Sequence, residues 1–270
     1  MSVGPFSFLE AGTGSGSENI DRVLVIAAHP DDEAIGTGGH LPGFADPWIL
    51  YVTDGAPRNA TATGNSVEHY AETRREEARA ALRLAGISED RIDEAGVKDQ
   101  EASRYLPDLV AVLCAAFRRF APSVLLTHPY EGGHPDHDAT AFAVRAASRL
   151  LERERITPPL IVEFTSYHNS AAGLAVGDFI DSEKSDVLTV RLSQTQRRTK
   201  RRMFQIYRSQ SEVLQAFPVE VERFRPAPLY DFTKPPHAGQ LYYENFDWGV
   251  TGNEWRSLAA AALHQLGLGP

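Results

Sequence analysis

The chain has 270 residues, of which 42% are hydrophobic and 23% charged, and it carries a net charge of -9 and one cysteine. This length suits one sizeable core. The acidic balance argues against a general nucleic-acid partner, the lone cysteine excludes an internal disulfide, and no apolar run approaches the roughly 20 residues of a transmembrane segment. Residues 1–19 are rich in Gly and Ser and lack a secretory signal, so we expect a flexible arm, then a single domain over 20–270, in a cytoplasmic protein.

Strand and helix patterns alternate along the chain. Short apolar runs predict strands at 23–28 and 123–128, and the alternating pattern predicts further strands at 48–53, 92–97, 160–164 and 187–192. Amphipathic stretches predict helices at 68–85, 107–120, 138–151 and 197–208, and a capping-box pattern opens the last of them. The alternation predicts an α/β fold, a Rossmann-like and mostly parallel sheet with helices on both faces. From about residue 217 the chain is dense in proline and aromatic residues, and we expect irregular structure there.

A charged turn follows the first predicted strand. The apolar run 23–28 leads into His29, Pro30, Asp31, Asp32 and Glu33. In open α/β sheets, ligands bind beyond the carboxyl ends of the strands, so this turn is where a site is expected. The simpler alternative is that the aspartates only cap the next helix.

A second charged turn repeats this pattern after the strand 123–128. It contains His134, Asp136 and His137 beside proline and glycine. If both strands are parallel neighbours, the two turns meet at one edge of the sheet. Two histidines and one carboxylate then form a three-ligand metal site with an open position, as in catalytic zinc centres. Spacing alone allows either His134 or His137 to be the ligand.

The two turns together resemble the LmbE-like or PIG-L family of zinc-dependent de-N-acetylases, whose members remove acetyl groups from substrates that contain N-acetylglucosamine. The resemblance rests on His-Pro-Asp-Asp-Glu at 29–33 and His-Pro-Asp-His at 134–137. Weaker matches are Thr-Asp-Gly at 53–55, Arg-Arg-Glu-Glu-Ala at 74–78, Thr-His at 127–128 and Ser-Gln at 209–210. Beyond about residue 217 the chain shows no resemblance.

The resemblance implies the metal ligands and supports the choice of base, and the neighbouring residues of the second turn supply the other catalytic roles. His29, Asp32 and His137 would bind Zn²⁺, with Fe²⁺ as an alternative native ion, and a metal-bound water would attack the amide. Asp31 would be the general base, although it could instead only orient His29. His134 would be the general acid or stabilise the oxyanion, and Asp136 would hold its ring and raise its pKa.

Three further residues are candidates for substrate binding. The resemblance implies that Arg74 faces the sugar; the alternative is a surface ion pair with Glu77. Asp54 could bind sugar hydroxyls or only form a turn, and Tyr130 could substitute for a mobile tyrosine of related proteins. His128, at the end of a strand, is a candidate for the surroundings of the metal site, whereas a turn is the simpler interpretation of His168.

Two other functions suit the same residues. A two-histidine, one-carboxylate set also describes the facial triad of non-haem iron oxygenases, although these typically use a β-barrel. A non-catalytic protein that binds sugar or metal on this fold is the other alternative, but pure binding requires neither Asp31 nor His134. We therefore predict a deacetylase acting on a small N-acetylated glycoside, without a nucleic-acid partner or a transmembrane segment. The sequence leaves a homo-oligomer open.

Overall fold

A seven-stranded sheet forms the centre of the protein. The computed structural model describes residues 5–9, 21–58, 66–180 and 186–269. The strands of this sheet are β1 Val23–Ala27, β2 Trp48–Thr53, β3 Ile92–Val97, β4 Val124–Thr127, β5 Leu160–Phe164, β8 Leu188–Arg191 and β9 Val221–Pro226. They lie in the order β3-β2-β1-β4-β5-β9-β8. β1 to β5 are mutually parallel, whereas β9 is antiparallel to β5 and to β8. A separate hairpin joins β6, Tyr167–Ser170, to β7, Gly173–Val176.

The order of the strands places the two charged turns together. β1 pairs with β2 on one side and β4 on the other, so the strand order reverses between β1 and β4. Such a switch point is where open α/β sheets bind ligands. β1 is buried along its whole length, as expected for a parallel strand covered on both faces.

Helices cover both faces of the sheet, and each face has its own hydrophobic core. Trp255, Phe142 and Phe117 belong to one core, and Met203, Tyr207 and Leu82 to the other. The helices are α1 Asp32–Thr37, α2 Val67–Leu84, α3 Leu106–Phe120, α4 Pro135–Arg153, α5 Gln194–Ile206, α6 Ser211–Leu214 and α7 Gly252–Gln265. The predicted α/β fold with a mostly parallel sheet is confirmed.

The prediction of irregular structure beyond residue 217 was wrong for β9 and α7, whereas the segment between them is irregular apart from a short 3-10 helix at Tyr242–Asn245. β9 is an interior strand of the sheet, and α7 buries Trp255 in the core beside α3 and α4. Arg223 and Arg225 interrupt the apolar pattern of β9, which hides the strand in the sequence, but Arg225 is buried and bonds Glu163 of β5. The predicted capping box of α5 is present, with Ser193 and Gln196 each accepting a backbone N–H.

Most of the predicted flexible arm at 1–19 lies outside the described residues. Residues 5–9 are described, and they correct the prediction in part: Ser7–Leu9 forms a short 3-10 helix, and Phe8 is buried against Phe44 with ring centroids 6.0 Å apart. In the described parts of the chain, no helix combines the length and apolar character needed to span a membrane.

Candidate metal centre and catalytic cavity

The turns after β1 and β4 bring three histidines together. The rings of His29 and His137 have centroids 5.2 Å apart, and the ring of His134 lies 4.4 Å from that of His29. One nitrogen from each of these rings lies within 4.8 Å of the others. Asp31 occupies the N-cap position of α1, but its side chain makes no capping bond. Capping of the helix therefore does not account for this aspartate.

Asp32 lies between two of the histidines. Its Oδ2 is 3.1 Å from Nδ1 of His29, and its Oδ1 is 3.4 Å from Nε2 of His137. Burial alone would raise the pKa of Asp32, but His137 and His128 hold it well below the usual range. Asp32 is therefore a carboxylate at neutral pH, with both oxygens directed at imidazole nitrogens.

Other side chains hold the opposite nitrogens of these two rings. Nε2 of His29 lies 3.2 Å from Asp99 and 3.3 Å from Asp136, and Nδ1 of His137 lies 3.4 Å from the Ser166 hydroxyl. Ligand histidines are commonly fixed by such bonds on the second nitrogen. The arrangement leaves Nδ1 of His29 and Nε2 of His137 facing Asp32.

The predicted role of Asp136 was wrong. Its carboxylate approaches His134 no closer than 3.9 Å. It instead contacts His29 and accepts the backbone N–H groups of Gln100 and Ala102, at 2.6 and 3.0 Å. Asp136 thus fixes a metal-ligand candidate and the segment after β3, because its position at the start of α4 directs it across the sheet edge.

The ring of His134 is held by a hydrogen bond from a nearby backbone N–H group. Its Nδ1 accepts the N–H of Asp136 at 3.2 Å, so the neutral ring carries its proton on Nε2. Burial, together with His29 and His137, lowers the pKa of His134 well below its usual value. The predicted rise in this pKa was therefore wrong, and the structure presents His134 as a neutral hydrogen-bond donor.

Asp31 is held in an unusual backbone conformation. Its φ is 129°, a region that residues other than glycine rarely adopt. Glu33 accepts its N–H at 3.0 Å, and Arg74 contacts its Oδ2 at 3.3 Å. Burial raises the pKa of Asp31 to about 6, against the opposing charge of Arg74. The result is a buried carboxylate beside a metal-ligand candidate.

Arg74 is buried rather than on the surface, and it pairs with Asp31 and not with Glu77. It also donates to the Pro30 carbonyl and to Ser209, while Glu77 bonds Ser209. The Thr-Asp-Gly pattern requires its glycine for two reasons. Gly55 has a φ of +60°, and a Cβ at this position would lie 3.0 Å from the Arg74 side chain.

A cavity of about 480 Å³ opens at this centre, a size that suits a small-molecule ligand. Its lining residues come from the carboxyl ends of the strands, α2, the β6–β7 hairpin, α6 and the segment before α7. They are His29, Asp31, Asp32, Ile35, Gly55, Pro57, Tyr70, Arg74, Asp99, Gln100, His134, His137, Tyr167, Leu174, Val176, Gln210, Glu212, Val213, Ala216, Phe217, Tyr242, Phe246 and Trp248.

Two predicted substrate contacts lie outside this cavity. Tyr130 is buried among Tyr230, Phe232 and Trp255, and its hydroxyl donates to the Lys234 carbonyl. The prediction that Tyr130 contacts the substrate was wrong. Its ring packs against Trp255 of α7, a helix that was not recognised in the sequence. Asp54 also does not line the cavity.

Asp54 instead organises the chain around it. Its carboxylate bonds Arg58 and accepts the N–H groups of Ala56 and Asp99, at 3.2 and 3.1 Å. Of its two predicted roles, forming a turn is the one present. His128 does lie at the centre: its ring stacks on His137 at 4.0 Å, and its Nε2 accepts the N–H of Ala28. His168 lies in β6 rather than in a turn.

Sequence reasoning missed Asp99, which contacts His29 from the segment after β3. Burial alone would raise its pKa, but His29 lowers it overall. Its position was a usable signal, because a carboxylate two residues beyond a predicted parallel strand belongs to the same sheet edge. The aromatic residues Tyr167, Tyr242 and Trp248 were also missed, and no sequence motif marks them.

The charges around the centre fit a bound cation. Asp31, Asp32, Asp99 and Asp136 are all buried, whereas Arg74 is the one buried guanidinium that contacts them among the described residues. An excess of buried carboxylates is costly unless a cation compensates it. Imidazole nitrogens with a carboxylate oxygen, beside an open cavity, are donors that suit a zinc-type ion.

The fold and the site together place the protein among α/β proteins that carry a candidate metal centre beyond the carboxyl ends of a mostly parallel sheet. A sequence model of the family described as GlcNAc-PI de-N-acetylase, PIG-L, matches residues 24–148. A probable N-acetyl-alpha-D-glucosaminyl L-malate deacetylase 2 of Bacillus cereus is 31% identical over 170 residues, which cover 60% of this chain and 75% of that protein. The chain belongs to this family. This confirms both the family and the deacetylase activity that were predicted from the two turns.

Other similar proteins cover less of the chain or share only its fold. The diacetylchitobiose deacetylase of Thermococcus kodakarensis is 32% identical over 133 residues, covering 46% of this chain and 48% of that protein. A solved deacetylase from the teicoplanin biosynthesis pathway has a TM-score of 0.57 at 16% identity, covering 76% of this chain and 97% of that chain. The N,N'-diacetylchitobiose deacetylase of Pyrococcus horikoshii has a TM-score of 0.53 at 21% identity, covering 78% and 80%.

Proposed function

We propose that this chain removes the acetyl group from an N-acetylated amino sugar by metal-dependent hydrolysis, in one domain over residues 20–270. The observation that carries the proposal is the grouping of His29, Asp32 and His137 beside Asp31 at one end of the cavity. The relatives support the substrate class, because the names of the Bacillus and Thermococcus proteins both specify an acetylated sugar.

His29, Asp32 and His137 are the proposed ligands. His137 is preferred to His134 because its Nε2 faces Asp32, whereas Nδ1 of His134 is bonded to the backbone. The donor set favours Zn²⁺, with Fe²⁺ as the alternative. When bound, the ion would acidify a water molecule and polarise the amide carbonyl.

Asp31 is the proposed general base. A carboxylate with a pKa of about 6 is ionised at neutral pH yet basic enough to accept a proton from the attacking water. Arg74 and Glu33 hold it in position without occupying the metal-ligand positions. The proton taken up by Asp31 can then pass to the amide nitrogen as the C–N bond breaks, so that the product leaves as a neutral amine.

His134 is the proposed oxyanion donor. Its neutral ring carries a proton on Nε2, so it can donate a hydrogen bond to the carbonyl oxygen as negative charge develops there. Removal of one such donor typically costs about 10²–10³ in kcat. This role replaces that of a protonated general acid, since burial lowers the pKa of His134.

The open, mostly parallel sheet argues against the oxygenase alternative, which typically uses a β-barrel. A non-catalytic binder would not need Asp31, a buried carboxylate beside the proposed ligands that is held in place by Arg74 and Glu33.

The test combines metal analysis with an activity assay on one preparation. We expect near-stoichiometric Zn²⁺ or Fe²⁺, release of free amine from N-acetylglucosamine derivatives, and loss of this release on chelation with recovery on adding metal back. The proposal fails if the protein binds no metal after reconstitution, or if the metal-loaded protein releases amine at the rate of a chelated sample across the whole panel.

A further inference from the structure

The cavity has two chemically different halves. Lining residues within 24–148, the part matched by the family model, are mostly polar or charged and include Asp99 and Gln100. Lining residues beyond that part are mostly apolar or aromatic and include Leu174, Val213 and Phe246. The polar half holds the candidate metal centre, so the apolar half lies next to the reacting group and belongs to this chain's own later segments.

Several apolar side chains of this half are exposed to solvent, unlike those of a hydrophobic core. The fractional exposures of Leu174, Val213 and Phe246 are 48%, 49% and 43%. They come from three separate elements, β7, α6 and the segment before α7, yet all three line one cavity. Exposed apolar side chains that converge on a cavity mark a ligand-binding surface more than chance exposure does.

An aromatic pair connects this surface to the catalytic residues. The rings of Phe246 and Trp248 stack at 4.5 Å with an angle of 12° between their planes. Trp248 also contacts the ring of His134 at 4.5 Å. A group attached to the sugar can therefore pass from the catalytic end onto apolar surface without crossing a polar barrier.

We propose that this apolar half binds the aglycone of the substrate, and that the aglycone is an alkyl or aryl group. The proposal rests on the proposed deacetylase function. The acyl group is assigned to the polar half, because the relatives' names share the acetyl group and differ in what the sugar carries, such as malate or a second sugar.

The charges of the cavity argue against an acidic aglycone. Arg74 is the one Lys or Arg side chain among the described residues that line the cavity, and it is paired with Asp31. Glu212 adds a negative charge to the lining. A carboxylate such as that of malate would therefore find no unpaired Lys or Arg among the described lining residues, whereas a neutral apolar group would bury Leu174, Val213 and Phe246.

The test compares the binding of deacetylated products to the metal-loaded protein by titration calorimetry. We expect hexyl and phenyl glucosaminides to bind roughly 10- to 70-fold more tightly than methyl glucosaminide, since burial of about 100 Å² of apolar surface allows up to this gain. The kcat/KM values of the corresponding N-acetylated glycosides are expected to follow the same order. Leu174→Ser, Val213→Ser and Phe246→Ala should each reduce the preference, measured as the ratio of hexyl or phenyl affinity to methyl affinity, several-fold.

Leu229→Ser is the matched control, since Leu229 is 91% exposed and does not line the cavity. Equal affinity for the methyl, hexyl and phenyl compounds would overturn the proposal, as would a preference that survives all three cavity variants. The proposal would also be overturned if a hexanoyl group on the nitrogen, rather than a hexyl aglycone, raised kcat/KM. A change of oligomeric state in Leu174→Ser with unchanged affinities would overturn it as well. Tighter binding of the apolar compounds without any amine release would support this subsite and refute the proposed deacetylase function. Amine release without that preference would support the deacetylase function and refute the subsite.

Discussion

The charge of Arg74 is predicted to set the pH at which the enzyme becomes active. Burial raises the pKa of Asp31 to about 6, while Arg74, 3.3 Å from its carboxylate, lowers it. An opposite charge at this distance lowers an aspartate pKa by about 1–3 units, so Arg74→Gln should raise the pKa of Asp31 to about 7–9. Because the base must be ionised, activity is lost as the pH falls through this pKa.

The expected magnitude follows from the ionised fraction. At pH 7 a base with a pKa of about 6 is mostly ionised, whereas a pKa of about 7–9 leaves roughly one half to one hundredth ionised. Arg74→Gln should therefore lose about 2- to 100-fold in kcat/KM at pH 7 and recover much of it in alkaline buffer. The assay is kcat/KM against pH at saturating metal, where the bound ion acts on both proteins alike.

Arg74→Lys is the control, because it keeps the positive charge while changing the geometry. Its acid limb should stay near that of the unmodified enzyme even if kcat falls. The reasoning is refuted if Arg74→Gln loses activity equally at every pH, which would make Arg74 a purely structural or substrate-binding residue. It is also refuted if the acid limb moves to lower pH.

Three further variants test the roles assigned to His134, Asp136 and Tyr130. His134→Gln should lower kcat about 10²–10³-fold with full metal content, as expected for loss of an oxyanion donor and measured by steady-state kinetics with metal analysis. Asp136→Asn should weaken metal binding about 10- to 100-fold in a chelator competition, because Asp136 holds the ring of His29. Tyr130→Phe should leave KM unchanged and lower the free energy of unfolding by about 1 kcal/mol, because its hydroxyl bonds the Lys234 carbonyl away from the cavity. A large rise in KM in the last variant would return Tyr130 to the substrate site.

The sequence predicted the parts of the protein that depend on local patterns. β1, β2 and β5 match the predicted runs closely, because buried parallel strands are largely apolar segments bounded by turns. β3 also coincides with its predicted run, although it is partly exposed and carries Asp93 and Glu94. The grouping of His29, Asp32 and His137 followed from one topological rule, since the carboxyl ends of neighbouring parallel strands share an edge.

What the sequence did not predict depends on contacts between distant segments. Arg225 lies in an interior strand only because Glu163 and Glu131 pair with its charge. The contact of Asp136 with His29 rather than His134 depends on how α4 docks against β1. The apolar half of the cavity is assembled from β7, α6 and the segment before α7, which share no motif.

The division of labour between the adjacent carboxylates Asp31 and Asp32 is the central claim, and paired variants test it most directly. Asp31→Asn and Asp32→Asn are purified alike, and metal content and amine release are measured on each. We expect Asp31→Asn to keep its metal and lose at least about 100-fold in kcat, in keeping with loss of a general base, and Asp32→Asn to lose the metal itself. An Asp31→Asn protein with near-normal turnover, or an Asp32→Asn protein with full metal content, would contradict the account.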